Sequence, residues 1–312
     1  MDGTTFFGPW EGDPIASWED AMAAIEDVMN KIGRRRMAWR GQVNASWCLH
    51  SGLYRRLLAQ ATGNAPEEAD LLKAEDKLLS LARDGWRFDQ LPYLELVAHM
   101  QHYGAPTRLL DVSLNPLVAL WFAVEQRHAD EDGQDGRVFA IDVTDRSVRL
   151  DAGWNTYDIP WRHFEKASKW SLELPLLWRP PSYNERIPAQ QSGFLLAGVP
   201  KYYAGKNSQY RKAPGDASAA GLWKADEVRR ATSVPTRMVD RTRNLDPRSR
   251  PTLTLRIAAD AKEPIRRRLE RDYGINSGTM YPDLFGMATH IRGQVDDGGL
   301  LDRPATPGAG TS

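Results

Sequence analysis

Gln101-His102-Tyr103-Gly104-Ala105-Pro106-Thr107-Arg108-Leu109-Leu110-Asp111, running on through Val112-Ser113-Leu114-Asn115-Pro116 into the apolar stretch from Leu117 to Val124, is the segment on which the fold turns. Pro92 is expected to open a helix over Leu94 to Tyr103, and Gly104 ends it in the manner of a C-cap. Pro106 fixes its own φ and restricts Ala105, so the turn is stiff and its side chains are pre-oriented. Asn115-Pro116 then starts another helix, in which Leu117, Leu120, Trp121 and Val124 recur at helical spacing. Between two rigid elements, His102, Tyr103, Thr107, Arg108 and Asp111 crowd together, and loops held by rigid scaffolds commonly carry binding groups. A second reading pairs Arg108 with Asp111 as a buried ion pair that holds the turn, since an unpaired buried charge is costly.

Working outward, Ser17 caps an amphipathic helix with Met22, Ile25, Met29 and Ile32 on one face and Gly33 at its end. Arg34 to Gln42 reads as a strand. Pro66-Glu67-Glu68 opens a helix with Leu71, Leu72, Leu78, Leu79 and Leu81 on its buried side. Three further strands are expected at Arg137–Val143, Gly193–Val199 and Thr252–Ile257, and a basic helix at Pro264–Tyr273. Helices gather early and strands lie far apart in sequence, so the class is α+β with non-local strand pairing and an N-terminal helical portion. No G-x-G-x-x-G follows a strand and no Gly-Lys-Ser/Thr loop occurs, which argues against a Rossmann or P-loop enzyme.

Residues 1–16 read as an N-terminal extension, 17–292 as a single α+β domain with a mobile loop near 205–221, and 293–312 as a disordered tail. The 41 basic and 41 acidic residues cancel, so no global field draws the chain to nucleic acid or an anionic membrane. The single Cys48 excludes an internal disulfide and a multi-cysteine zinc site. No segment is apolar for long enough to cross a bilayer and the N-terminus lacks a secretory signal, so a cytoplasmic protein is expected.

Three polar groups carry candidate chemistry. Trp39-Arg40-Gly41-Gln42 puts a permanent cation at the end of a strand beside a glycine that permits close approach; such an arginine holds a phosphate or carboxylate, or else pairs with a buried acid. The second group is the turn already quoted. There His99 and His102 have the spacing of a metal pair, but no third ligand stands at a convincing distance, so no metal is assigned. Ser113, His102 and Asp111 would make a hydrolase triad, without a nucleophile-elbow sequence to support it. The third group is Asn184-Glu185-Arg186-Ile187-Pro188-Ala189-Gln190-Gln191-Ser192-Gly193-Phe194, leading into a strand. Apart from these, residues 229–250 hold seven Arg against two Asp, a net of +5, readable as a phosphate-binding patch or as a solvated surface.

Taken in order, these groups resemble the FRG domain family. Trp39-Arg40-Gly41 stands for its opening (Phe/Tyr)-Arg-Gly, QHYGAPTRLLDVSLNPLVALWFA for its central block, and RIPAQQSGF for a later segment. Gly274-Ile275 with Tyr281-Pro282-Asp283-Leu284-Phe285-Gly286 is similar to its closing motif. The layout in turn resembles the ADP-ribosyltransferase fold, which implies a mixed sheet core and an enzyme that uses NAD as a substrate to modify a macromolecule, protein or nucleic acid, as toxins and anti-phage effectors do. A neutralising antitoxin or immunity partner belongs to that picture. In it Arg40, Gly41, Gln42, Tyr103, Thr107, Arg108 and Ser113 bind NAD: Arg40 and Arg108 on the diphosphate, Tyr103 stacked on nicotinamide. His102 bonds to ribose, and Gln190 with Glu185 lies near the reacting carbon. The resemblance calls for a glutamate near Arg186–Phe194, and the chain departs from it by offering Gln190 and Gln191 there. A glutamine cannot supply the negative charge, a loss that typically costs on the order of a hundredfold in rate. The alternative is a non-catalytic module that binds a nucleotide or nucleic acid.

Overall fold

The apolar spacing and caps become ten α-helices and seven strands in the computed structural model, which describes residues 1–126, 131–150, 153–163, 170–201, 210–216, 218, 221–241, 244–246, 249–284, 286–288 and 291. The strands are β1 (Met37–Gln42), β2 (Leu110–Ser113), β3 (Gly136–Asp142), β4 (Ser147–Val148), β5 (Leu176–Trp178), β6 (Ser192–Leu196) and β7 (Thr252–Ile257). They form one seven-stranded sheet in the order β4-β5-β6-β2-β1-β3-β7, antiparallel except between β4 and β5. An α+β class with non-local pairing is what the sequence implied.

Helix α1 (Gly3–Phe7) and α2 (Trp18–Ile32) precede the sheet. Ser17 caps α2 by accepting the Asp20 amide, and Gly33 ends it at φ 58°. Its buried face, however, is Ala21, Ala24, Ile25, Val28 and Ile32; Met29 is 45% exposed. The small residues let α2 lie close to the sheet, so side-chain size and not hydropathy alone set the helix's rotation. Next come α3 (Gly52–Gln60), α4 (Glu68–Ser80), α5 (Tyr93–His102) and α6 (Pro116–Val124). In α4 the expected leucine face is only partly used: Leu71 is buried, Leu81 is exposed, and Glu75 occupies the most buried polar position. The rest are α7 (Arg186–Ala189), α8 (Ala225–Ala231), α9 (Ala259–Tyr273) and α10 (Ser277–Met280). None of the described helices is long and apolar enough to cross a membrane.

Both faces of the sheet are covered. On one, α2, α6 and α9 pack on Trp39, Val138, Ala140, Leu253 and Leu255. On the other, Phe6, Phe7, Trp10 and α8 pack on Ala38, Phe139, Ile141 and Leu195. Residues 1–16 are therefore no appended extension. Phe7 meets the Phe139 ring edge-on at 4.9 Å, and Ile15 hydrogen-bonds alongside Ile257 at the β7 edge. Helix α5 and the Trp154–Trp161 segment cover Trp178, Phe194 and Leu196 in a third cluster.

The segment expected to be a mobile loop, 205–221, is described only in part. That part is anchored: Tyr210 is buried, and Arg211 pairs with Leu222 in an antiparallel bridge. The tail 293–312 lies outside the described residues.

The pairing of the sheet places the cleft. Strand β1 pairs with β3 along its whole length, and β2 pairs with β6 along its whole length. Between β1 and β2 the register holds a single pair, Trp39 with Ser113. Past that point Arg40-Gly41-Gln42 diverges from Leu110-Asp111-Val112, and the sheet splits.

Candidate functional site

The split is a cleft of about 370 Å³. Arg40, Gly41 and Gln42 form one wall, His102, Asp111 and Ser113 the other, and Gln190, Arg186, Glu125 and Tyr281 also line it. Residues from all three sequence groups thus meet in one place.

Gly41 is where it is because α6 lies on β1. A Cβ there would stand 2.0 Å from the Ala119 carbonyl oxygen and 2.6 Å from the Ala123 nitrogen. The glycine is needed for helix–strand contact, which brings the C-terminal end of α6, and Glu125 with it, to the cleft. Arg40, half-buried, reaches across the split and donates from Nη1 to the Asp111 carbonyl at 2.7 Å. Asp111 itself is exposed and accepts from Gln101 Nε2 at 2.8 Å, while the Thr107 hydroxyl donates to Gln101 Oε1. Gln101 therefore ties the turn that the sequence assigned to an Arg108–Asp111 pair.

Arg108 is 4% exposed and engaged elsewhere. Its Nε and Nη2 form a two-bond fork with Glu75 at 2.8 and 2.7 Å, and its Nη1 donates to Glu68 at 2.8 Å. Trp161 packs at 5.1 Å against the guanidinium. An arginine so buried and so completely paired holds α4 to the β2 turn; it does not line the cleft. Thr107 is likewise buried behind the wall. Tyr103 is 85% exposed at the C-cap of α5 and lies outside the cleft, as does Glu185 at the exposed N-cap of α7. The sequence had placed all four in the site; local chain proximity could not show which way each side chain points.

Gln190 lines the cleft, but its amide is occupied at both ends. Nε2 donates to the Met280 carbonyl at 2.7 Å, and Oε1 accepts the Ser192 hydroxyl at 3.2 Å. The Ser113 hydroxyl donates to the Gln190 carbonyl at 2.7 Å and accepts the Asn115 amide at 3.0 Å. Both residues brace β2, β6 and α10 around the cleft, and Ser113 lacks the geometry of a hydrolase nucleophile. His99 stacks on Tyr183 at 4.1 Å.

The sequence reading missed an acid. Glu125, 4% exposed at the C-cap of α6, has its carboxylate oxygens 2.8 and 3.0 Å from the Tyr281 hydroxyl. The Tyr281 ring lies 5.2 Å under the Arg186 guanidinium, which forks onto Asp283. His102 stands 3.9 Å from Asp283. Burial and the Arg186 charge push the His102 pKa below its ordinary value, against the pull of Asp283. The Arg186 hydrogen bonds hold the Asp283 carboxyl below the usual range. A charged residue directly after nine apolar-rich helical residues was the available signal for Glu125; Tyr281 and Asp283 stood in the closing motif without an assigned role.

The basic window 229–250 is largely paired off where it is described. Arg229 meets Glu67, Arg230 meets Asp226, and Arg250 faces Asp142 and Asp145. Its charges are thus met by acids, one of them a turn away on α8 and the others from distant segments, which argues against a phosphate-binding stripe.

These features define a mixed-sheet α+β domain with a cationic and acidic cleft at a split between neighbouring strands. Residues 35–132, from just before β1 past the end of α6, match the model of the FRG domain family. The match includes Arg40, His102 and Glu125, whereas the Arg186–Phe194 and Tyr281–Gly286 segments lie outside it. No curated protein and no solved structure matches the chain.

Proposed function

We propose that the cleft binds NAD and that the chain transfers ADP-ribose from it to a macromolecule. The observation that carries this reading is the meeting of Arg40 and Glu125 in one cleft, a fixed cation for a diphosphate and a buried carboxylate for the reacting carbon. The core would then be ADP-ribosyltransferase-like, with the carboxylate supplied by the end of α6 and not by the segment before β6.

In this scheme Arg40 holds the diphosphate through parallel hydrogen bonds. Breaking the bond between nicotinamide nitrogen and ribose C1′ leaves the electron pair on nicotinamide and positive charge on the ribosyl carbon. Glu125 steadies that charge, the kind of electrostatic contribution that dominates many enzymes. As the acceptor's lone pair closes on C1′, Glu125 receives the proton released by its O–H or N–H. His102, with its pKa lowered, is neutral near pH 7 and serves as a hydrogen-bond partner for a ribose hydroxyl.

The test is incubation of the chain with NAD labelled in its adenylate half, in the presence of cell extract. Label should appear on protein or RNA, and Arg40→Ala should abolish both NAD binding and transfer. An Arg40→Ala protein that binds and transfers like the parent overturns the reading. A second reading, a nucleotide-binding module without catalysis, is favoured by the internal engagement of Gln190 and Ser113. It predicts that NAD raises the melting temperature with no label transferred.

A further inference from the structure

Two side chains on the β1 wall are placed in a way the reading above does not use. Trp47 lines the cleft and is 49% exposed. Such an indole is ordinarily covered, yet the turn carrying it is pinned from behind. The Gly3 amide donates to the Ser46 carbonyl at 2.8 Å, the Ala45 amide to the Asp135 carbonyl at 2.6 Å, and the buried Arg137 donates to the Ala45 carbonyl. Gly3 sits so close that a Cβ there would be 2.4 Å from the Trp47 carbonyl oxygen. The backbone beneath this exposed ring is therefore pinned, and the indole stands at the cleft on a fixed support.

Gln42 is the second. It is 5% exposed and lines the same cleft. Its Nε2 donates to the Cys48 carbonyl at 3.3 Å, which fixes the amide's orientation, because a carbonyl can only accept. Oε1 is thereby turned away from Cys48 and has no hydrogen-bond partner among the described residues. A buried acceptor left in that state costs free energy unless a ligand supplies a donor.

We infer that Trp47 and Gln42 form the subsite for a planar heterocycle carrying an N–H₂ group, stacked on the indole and donating to Gln42 Oε1. This rests on the NAD reading and extends it, since NAD offers that chemistry twice, in the adenine amino group and in the nicotinamide carboxamide. Base–aromatic stacking on one side chain corresponds to about tenfold or more in affinity. Replacing the N–H₂ by an oxygen turns donor into acceptor and faces it against Oε1, which a site built around that donor rejects.

The test is calorimetric titration of the full chain with NAD, nicotinamide hypoxanthine dinucleotide and nicotinic acid adenine dinucleotide, repeated for Trp47→Ala and Trp47→Phe. Trp47→Ala should weaken NAD about tenfold or more, and Trp47→Phe much less. One deaminated analogue should bind at least tenfold more weakly than NAD: the hypoxanthine form if the subsite takes adenine, the nicotinic acid form if it takes nicotinamide. Trp47 is 49% exposed, so its removal should leave the melting temperature of the parent, and the comparison leaves the buried Gln42 unaltered. Should Trp47→Ala and both analogues match the parent's NAD affinity while Arg40→Ala loses binding, the subsite is overturned and the NAD reading stands. A parent chain that binds no NAD overturns both.

Discussion

The Tyr281 hydroxyl lies 2.8 and 3.0 Å from the two carboxylate oxygens of Glu125, tying the C-terminal end of α6 to the segment that follows α10. A glutamine at 125 keeps the shape and an acceptor for Tyr281 but removes the charge. Glu125→Gln should retain NAD binding within a few-fold and the parent's melting temperature, while transfer or hydrolysis of NAD falls about a hundredfold. Turnover at the parental rate would remove Glu125 from the mechanism.

Arg108 offers the opposite expectation. Arg108→Ala would strand Glu75, 2% exposed, without its fork, and breaking a buried pair by deleting one partner costs about 3–5 kcal/mol. Urea unfolding should show that loss. A variant as stable as the parent but unable to bind NAD would return Arg108 to the ligand-binding role the sequence suggested.

Gly41→Ala tests the helix–strand contact. The added Cβ meets backbone atoms of α6, which cannot swing aside as a flexible side chain can. Overpacking of this kind costs about 1–3 kcal/mol or more, and the shift of α6 should also weaken NAD turnover by displacing Glu125. Unchanged stability and turnover together would show that α6 does not rest on Gly41 as described.

His50 makes stability depend on pH. Burial lowers its pKa to about 4, and its Nε2 donates to the Arg229 carbonyl at 3.1 Å. The folded state thus favours the neutral ring, whereas the unfolded chain takes up the proton near pH 6.5. Its contribution is intact above pH 6.5 and is lost as pH falls from there toward 4, about 3 kcal/mol when complete. Urea unfolding at pH 7 and pH 4.5 should give a smaller drop for His50→Gln than for the parent. Equal drops would assign the acid sensitivity to the carboxylates alone.

The elements governed by local signals were legible in the sequence. Ser17, Gly33, Pro92 and Asn115 marked helix ends that the structure keeps within a residue or two, and Thr252 to Ile257 appears as the strand its alternation suggested. Arg40, His102 and Gln190 do share a cleft. What sequence could not show was direction and partnership across long separations. Arg108 and Asp111 are neighbours, yet Arg108 turns to Glu75 and Glu68 while Asp111 faces the cleft. Phe6 and Phe7 looked peripheral because the strand they cover, β3, begins 129 residues after Phe7. Glu125 escaped because its role depends on Tyr281, 156 positions away.

The lone backbone pairing of Trp39 with Ser113 makes the two halves of the sheet a seam closed by one stitch. A molecule lodged between Arg40 and the β2 wall would act as a cross-brace over that seam, so occupancy and folding become thermodynamically linked. At a hundred times its dissociation constant such a ligand adds about 2.7 kcal/mol to stability. The amides of Arg40 to Gln42 and of Leu110 to Val112 are where slowed hydrogen exchange should register it. The site would then report its own filling through the rigidity of the sheet it divides.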